Sequence, residues 1–239
     1  MSVEALEQLL TVQGHDTLAT QLRTRRQGLP ERAEAEEVAA AERALAARHA
    51  DLTAEAHRLE REQTRLEDEI ASLKAKAEHA DKMMYSGTIT NPRELQGFQD
   101  EVASLGRRVG ELEDKELEIL VEREPVDEAV AAADAEAATL RARADDLAAR
   151  ITVAEAEIDA ELATVVTERE AAAAAVPADL LAEYEQLRAD NGGVGVARLE
   201  HGTCGGCHMN LSAMERDRIK ALPPDALVHC EECGRLLVR

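Results

Sequence analysis

The fold is decided by the stretch Tyr85-Ser-Gly-Thr-Ile-Thr-Asn-Pro-Arg-Glu-Leu95, which separates two long segments of helix-forming residues. Its Ser-Gly pair is typical of a turn, and the β-branched Thr-Ile-Thr run that follows disfavours a continuing helix. Asn91 has the side chain of an N-cap, and Pro92 occupies the first position of a new helix. We therefore predict that one helix ends near Met84 and that another begins near Pro92. Together they would form an antiparallel helical hairpin.

The segment before the turn carries a heptad repeat, which is the signature of a coiled coil. Its leucines recur every seven residues, at Leu45, Leu52, Leu59, Leu66 and Leu73. The segment after the turn continues the repeat from Phe98 to Val165. The two repeats can meet in layers when the numbers of paired residues sum to 168, 175 or 182. We predict 175, because that sum centres the pairing inside the turn.

Two further features of the helical part bear on its packing. A first amphipathic segment, residues 3–28, contains Gly14, which should interrupt it, and ends at Gly28-Leu-Pro30. We expect this segment to lie along residues 147–172. Polar residues also occur at heptad core positions, and we interpret them as residues that fix the register or extend their polar ends to water, rather than as a buried site. They are His49, Gln63, Glu116 and Arg123.

The composition favours an elongated molecule with an acidic surface. Of the 239 residues 45% are hydrophobic, but only 1% are aromatic, which is few for a compact core. Residues 177–239 carry seven Lys/Arg and ten Asp/Glu, so the net charge of −21 falls almost wholly on residues 1–176. Such a surface repels phosphate, and the helical part is therefore a poor candidate for nucleic-acid binding.

The sequence also bears on the compartment. No apolar run approaches the roughly 20 residues that span a bilayer. The stretch Met1-Ser-Val-Glu-Ala-Leu-Glu7 is acidic and lacks the basic and apolar regions of a signal peptide. We therefore expect a cytoplasmic protein with no membrane partner. Thiols stay reduced in that compartment, so the four cysteines are not expected to form disulfides.

Those cysteines form two pairs, Cys204-Gly-Gly-Cys207 and Cys230-Glu-Glu-Cys233, separated by 22 residues. Each Cys-x-x-Cys loop supplies two thiolates, and two loops complete the tetrahedral shell that zinc prefers. The spacing predicts one structural Zn²⁺ rather than a thioredoxin-like redox pair, which needs a single motif. The nearby His201, His208 and His229 are predicted to be second-shell or surface residues, with replacement of a ligand as the alternative.

The residues around the cysteines predict the rest of the small C-terminal fold. The ranges 194–199, 226–229 and 236–238 have the pattern of short strands, and a helix is expected at 212–220. Four thiolates leave no open coordination position, so hydrolysis by zinc-bound water is disfavoured. No nucleophile–base constellation or phosphate-binding loop occurs in the sequence. We therefore predict that the protein is not an enzyme and has no small-molecule substrate.

These observations divide the chain into three parts of a mainly α protein. Residues 1–176 should form the antiparallel coiled-coil hairpin, with its turn at about 85–91. Residues 177–195 should form a short helix and a flexible linker, because Asn-Gly-Gly-Val-Gly ends this range. Residues 196–239 should form a C4 zinc ribbon with short β-strands and one helix.

The turn and the ribbon together resemble the bacterial C4-type zinc-ribbon family with an N-terminal coiled-coil hairpin, formerly a domain of unknown function. The resemblance covers essentially the whole chain. It rests on Ser86, Gly87, Asn91, Pro92, Glu94, Leu95, Cys204, Gly206, Cys207, His208, Cys230, Cys233, Gly234 and Arg235. It implies an adaptor role, since relatives are linked to a nitrogen-type alternative sigma factor, to secretion components or to mRNA. This sequence departs from relatives near Val238, where an aromatic residue is often found.

We interpret the protein as a zinc-binding adaptor, scaffold or chaperone-like protein that engages protein partners, among them transcription or secretion machinery. Residues 72–108 carry six basic and five acidic groups, and residues 196–239 carry six of each, so both regions are nearly neutral. The predicted contact residues are Tyr85, Ile89 and Arg93 in the turn and Arg216, Arg218, Lys220 and Arg235 in the ribbon. The alternative is a regulatory protein whose ribbon binds RNA or DNA through these ribbon residues and Arg239. The scarcity of aromatic residues disfavours base stacking.

Overall fold

The structure is a computed structural model that describes residues 3–239 of the chain. This range is mainly α-helical, with long helices that form a hairpin and a small C-terminal sheet with one helix, which confirms the predicted fold class. The elements are α1 (Val3–Gln27), α2 (Pro30–Tyr85), α3 (Pro92–Ala174), α4 (Ala178–Asp190), β1 (Val196–Glu200), β2 (Thr203–Cys204), α5 (Ala213–Ala221) and β3 (Leu236–Val238). The chain groups into two compact units. Unit 1 combines the chain up to Glu34 with Leu147–Arg239, and unit 2 is Ala35–Asp146.

Unit 2 contains the hairpin turn and the helical segments on either side of it. The Ser86 hydroxyl donates a hydrogen bond of 2.8 Å to the Met83 carbonyl at the end of α2. Asn91 caps α3, because its side-chain oxygen accepts a hydrogen bond of 3.0 Å from the Arg93 amide. The turn residues thus act as the sequence predicts, and both helix boundaries fall within one residue of their expected positions.

The apolar core of unit 2 consists of heptad residues from both helices. Leu66 and Ile70 of α2 pack with Val109 and Leu112 of α3, and Ile119 is partly buried against this cluster. A register of 175 would place Ile119 opposite residue 56, about 15 Å of helix rise from Leu66. The packing of Ile119 against the cluster therefore indicates a different register.

Polar contacts between the helices show that the register of 175 is wrong in this part of the hairpin. His49 Nε2 lies 2.9 Å from Asp134 Oδ1, and Arg123 Nη1 donates 2.9 Å to Gln63 Oε1. A sum of 175 would place His49 opposite residue 126, about 12 Å of helix rise from Asp134. These pairs sum to 183 and 186, which are both nearer to the alternative of 182 than to 175. The residues after Gly87 are not helical, and α3 begins only at Pro92. The midpoint of the helix pairing therefore does not fall between Gly87 and Thr88, as a register of 175 requires.

In unit 1, α1 packs along the second half of α3. Ala19 and Leu22 form a buried cluster with Ile158 and Val165. This agrees with the expected pairing along residues 147–172. Gly14 does not interrupt the helix, because α1 is continuous over 25 residues. One glycine costs about 1 kcal/mol in a helix, and packing of the neighbouring leucines against the unit 1 core compensates for it.

The ribbon sheet has the strand order β2-β1-β3. The β1 and β3 strands are parallel, with Val196 opposite Leu236, whereas β1 and β2 are antiparallel. The strand predicted at 226–229 is wrong, because in that range only His229 forms an isolated bridge. The Leu237 amide donates to the Val228 carbonyl, after which the chain turns into the second cysteine pair, so no ladder can develop. The short β2 was not predicted.

Candidate metal centre

The structure brings the four cysteines together, with their Sγ atoms all within 4.8 Å of one another. The Sγ atoms of Cys204 and Cys233 are 4.0 Å apart, and those of Cys207 and Cys230 are 3.8 Å apart. Four sulfurs at about 2.3 Å from one zinc ion would be about 3.8 Å from each other in a tetrahedron. The cluster therefore fits one structural Zn²⁺ and leaves no position for a catalytic water.

Both cysteine pairs lie in the same kind of tight backbone turn. The His208 amide donates 2.8 Å to the Cys204 carbonyl, and the Gly234 amide donates 2.8 Å to the Cys230 carbonyl. The Gly206 amide also approaches the Cys204 sulfur at 3.4 Å. Amides that point at a sulfur stabilise its thiolate form, so the turns prepare the site for a cation. The short loops explain why Cys-x-x-Cys spacing alone was sufficient to predict the site.

The surroundings of the cysteines set the pKa values of their thiols, which decide how many protons zinc binding releases. Burial raises the pKa of the Cys230 thiol to about 12. Burial acts in the same direction on Cys233, but the backbone and side-chain N–H groups of Arg235 outweigh it and lower the pKa to about 7. Zinc binds thiolates, so its affinity for this cluster should rise with pH. Among the described residues, the cluster consists of the four cysteines, with no histidine in it. His229 Nε2 lies 2.8 Å from Glu183 Oε1.

Two of the predicted ribbon contact residues are engaged within the ribbon and its linker. Arg218 Nε donates 2.6 Å to Glu215 Oε2, and this interaction lowers the pKa of the buried Glu215 carboxyl. Arg235 donates to the carbonyls of Val194 and Asn191 at 2.9 and 2.8 Å. The guanidinium groups of Arg218 and Arg235 therefore satisfy acceptors of this chain.

Arg216 and Lys220 have fewer polar partners within the chain than Arg218 and Arg235. Arg216 has no carboxylate partner among residues 3–239, and Lys220 Nζ is 3.8 Å from Asp217 with both side chains about four-fifths exposed. Arg239 donates 2.7 Å to the Ile219 carbonyl at the end of α5. The sequence could not separate these cases, because Arg and Lys carry the same charge whether or not a partner is near.

The predicted contact residues in the turn belong to unit 2, whereas those in the ribbon belong to unit 1. Tyr85 is 81% exposed, Ile89 is half-buried and Arg93 is exposed. Within the described range Arg93 has no carboxylate partner, so its charge faces solvent.

Sequence reasoning missed a buried polar group that joins α1, α3 and α4. Tyr184 is fully buried, and its hydroxyl donates 2.7 Å to Asp16 Oδ2. Arg169 and Arg188 each approach Asp16 Oδ1 at 3.3 Å. Burial, and then the hydrogen bond to Asp16, raise the pKa of Tyr184 well above that of an ordinary tyrosine. The available signal was an acidic residue on the apolar face of α1.

The linker before the ribbon is held by α1, although the sequence indicated a flexible joint. The Gln13 side chain donates 2.9 Å to the Gly193 carbonyl and accepts 2.8 Å from the Gly195 amide. A Cβ at Gly195 would lie 2.6 Å from the Tyr184 carbonyl oxygen, so only glycine fits this approach. Val196 and Leu236 of the ribbon share a buried cluster with residues of α1 and α4. The three-part division of the chain nevertheless stays a prediction.

A coiled-coil hairpin followed by a four-cysteine ribbon defines a class of helical zinc-binding proteins. The CT398-like coiled coil hairpin domain matches residues 12–192, and the C4-type zinc ribbon domain matches residues 203–237. The chain therefore belongs to the CT398-like coiled-coil hairpin family, and the resemblance identified from the sequence is confirmed.

Relatives match over nearly the full length. The chain is 34% identical to the uncharacterized protein Rv2229c of Mycobacterium tuberculosis, over 97% of this chain and 94% of that protein. A solved structure from Mycobacterium smegmatis has a TM-score of 0.91 at 26% identity, covering 100% of this chain and 99% of that one. CT398 of Chlamydia trachomatis shares the fold, with a TM-score of 0.69 at 16% identity over 98% and 97% of the two chains. In residues 3–239, no helix is long and apolar enough to cross a membrane.

Proposed function

We propose that this zinc-binding hairpin protein is a cytoplasmic, non-enzymatic adaptor that binds protein partners through the hairpin tip (residues 82–95) and the ribbon. The observation that carries the proposal is the exposure of Tyr85, an aromatic side chain that is 81% accessible at the tip. Burying such a side chain removes a large apolar area from water, and tyrosine and arginine are common anchors of protein interfaces.

Charge placement supports a docking role for the tip. The cation of Arg93 has no carboxylate partner within the described range, and Ile89 is a partly exposed apolar residue of the same turn. Residues 72–108 carry one more basic than acidic group, in a chain whose net charge is −21. An acidic partner would therefore meet less electrostatic repulsion at the tip than elsewhere on the helices.

Nucleic-acid binding by the ribbon is the second candidate, and the unpaired Arg216 is the observation that favours it. Arg216 and Lys220, the latter 3.8 Å from Asp217, would neutralise about two phosphates, and a plot of log affinity against log salt would have a slope of about −1.4 to −1.8. That is a weak electrostatic contribution. The other cations of the ribbon donate hydrogen bonds to carboxylate or carbonyl oxygens of the same chain; they are Arg218, Arg235 and Arg239.

The test is capture of partners from nuclease-treated lysate by the zinc-loaded protein. The variant Ile89→Asp with Arg93→Glu should abolish capture by the tip while helicity and zinc content stay unchanged. The matched control is Val121→Asp with Arg61→Glu, because Val121 is exposed and Arg61 is an exposed cation outside the tip. If the tip variant captures every partner of the parent protein, the tip is only a turn. If nuclease removes all capture, the second candidate replaces the first.

A further inference from the structure

The ribbon contains a cavity of about 370 Å³ on the side of α5. Its walls come from the end of β1, from the turn that follows it, from α5 and from the last residue of the chain. They are formed by Leu199, His201, Gly202, Arg216, Ile219, Lys220 and Arg239. None of these residues is a zinc ligand, so the cavity is separate from the metal centre.

Cationic side chains line part of this cavity. The Arg216 side chain lies across Gly202, whose backbone has a φ of +85°, and a Cβ at that position would be 2.5 Å from Arg216 Cδ. Glycine thus lets the guanidinium stem lie flat beside the turn. Lys220 adds a second charge with only a distant carboxylate, Asp217 at 3.8 Å. Arg239 contributes less charge to a ligand, because it donates to the Ile219 carbonyl at 2.7 Å.

The remaining lining consists of the His201 side chain and two aliphatic residues. Leu199 is partly buried against the ribbon core, and Ile219 is 2% exposed. Neither side chain offers a flat π-face, so a nucleobase could stack only on the planar groups of the lining, such as the His201 imidazole and the Arg216 guanidinium. The cavity combines an apolar surface with the charges of Arg216 and Lys220, which is the complement of a short group that is both aliphatic and anionic.

From this combination we propose that the cavity binds a partner peptide in which an Asp or Glu carboxylate adjoins a branched aliphatic side chain. Arg216 would take the carboxylate through two parallel N–H···O bonds, and Lys220 would add a point charge. The aliphatic side chain would pack on Leu199. This proposal rests on the proposed adaptor function, and it specifies the kind of peptide that the ribbon binds.

The charge balance favours a single carboxylate over a nucleic-acid strand. A strand presents a phosphate at every nucleotide and would meet the exposed Asp217 beside the cavity, as well as Glu231 and Glu232 elsewhere in the ribbon. One carboxylate needs only the charges of Arg216 and Lys220. A peptide also supplies the apolar side chain that the aliphatic wall requires.

The test uses the full-length, zinc-loaded protein and fluorescence anisotropy of the labelled peptide Ser-Gly-Glu-Leu-Asp-Leu-Gly-Ser. Two control peptides replace either the acids with their amides or the leucines with alanine. The variant Arg216→Gln with Lys220→Gln is compared with Arg43→Gln with Arg61→Gln, which removes the same charge from exposed positions of α2. A single-stranded uridine oligonucleotide is titrated in parallel.

The parent protein should bind the acidic peptide, and each control peptide should bind at least roughly tenfold more weakly. The cavity variant should lose affinity by a similar factor with zinc content unchanged, and the α2 variant should match the parent. Absence of peptide binding at about 1 mM overturns the proposal. So does equal binding by the amide peptide, or oligonucleotide binding that disappears in the cavity variant while peptide binding does not. Because no lysate is used, failure here leaves the tip capture experiment unaffected.

Discussion

Replacement of Tyr184 by phenylalanine isolates one hydrogen bond that holds α4 to α1. The hydroxyl is fully buried and donates 2.7 Å to the carboxylate of Asp16. Hydrogen bonds to charged groups contribute about 1.5–3 kcal/mol. Asp16 keeps Arg169 and Arg188 in the variant, so its charge stays compensated. We therefore expect a loss of about 1.5–2 kcal/mol, in the lower part of that range.

Hydrogen exchange in the linker measures this loss locally. The Gly195 amide donates to Gln13 of α1, and it should exchange only when α1, α4 and the ribbon separate. A loss of about 1.5–2 kcal/mol corresponds to roughly 10- to 30-fold faster exchange, because 1.4 kcal/mol is a factor of ten. Mass spectrometry of peptides covering residues 191–197 would detect that change.

The matched control is Tyr85→Phe, which makes the same chemical change at an exposed position. Exchange of the linker should then stay within about twofold of the parent, since no buried hydrogen bond is lost. If Tyr184→Phe also leaves the exchange rate within twofold, the hydrogen bond to Asp16 does not stabilise the junction and the reasoning is refuted.

Three further predictions concern the register, the metal and the buried phenol. With zinc bound, Ile70→Cys should crosslink faster with Leu112→Cys than with Leu105→Cys; the reverse preference would restore the register of 175. Cys207→Ser should release the zinc and unfold the ribbon with little change in helical circular dichroism, and a variant that retains stoichiometric zinc would contradict the four-thiolate site. Tyr184 should stay protonated as the pH passes about 10, so folded Tyr85→Phe protein, whose one tyrosine is Tyr184, should show no phenolate by absorbance and its free energy of unfolding should fall with rising pH from that point; phenolate absorbance in this folded variant would contradict it.

The sequence was sufficient for the features that depend on short spacings. The heptad leucines predicted the hairpin, and the Asn-Pro pair predicted the start of α3, because each is set by local periodicity or capping. The two Cys-x-x-Cys loops predicted the metal cluster for the same reason. The register was harder, since three sums satisfy the heptad equally well, and the geometry of the extended turn decided between them.

Long-range contacts were beyond the sequence pattern. Gln13 and Asp16 look like ordinary polar residues of an amphipathic helix, and their partners Gly195 and Tyr184 are 182 and 168 positions away. Nothing in the spacing of either segment indicates that they meet. The strand predicted at 226–229 failed for a different reason, because this segment turns into the cysteine loop after a single bridge between His229 and Leu236.

The contact between α1 and the ribbon has a consequence for the order in which the chain folds. Unit 2 is built from two helices joined by a short turn, so its helices can pair soon after both have been synthesised. Part of the apolar face of α1 has to wait, because its partners Val196 and Leu236 are synthesised only after α2, α3 and α4. Closing so long a loop is entropically costly, and we expect unit 1 to be the slow folding step. During that interval the exposed leucines of α1 are the part of the nascent chain most dependent on protection from aggregation.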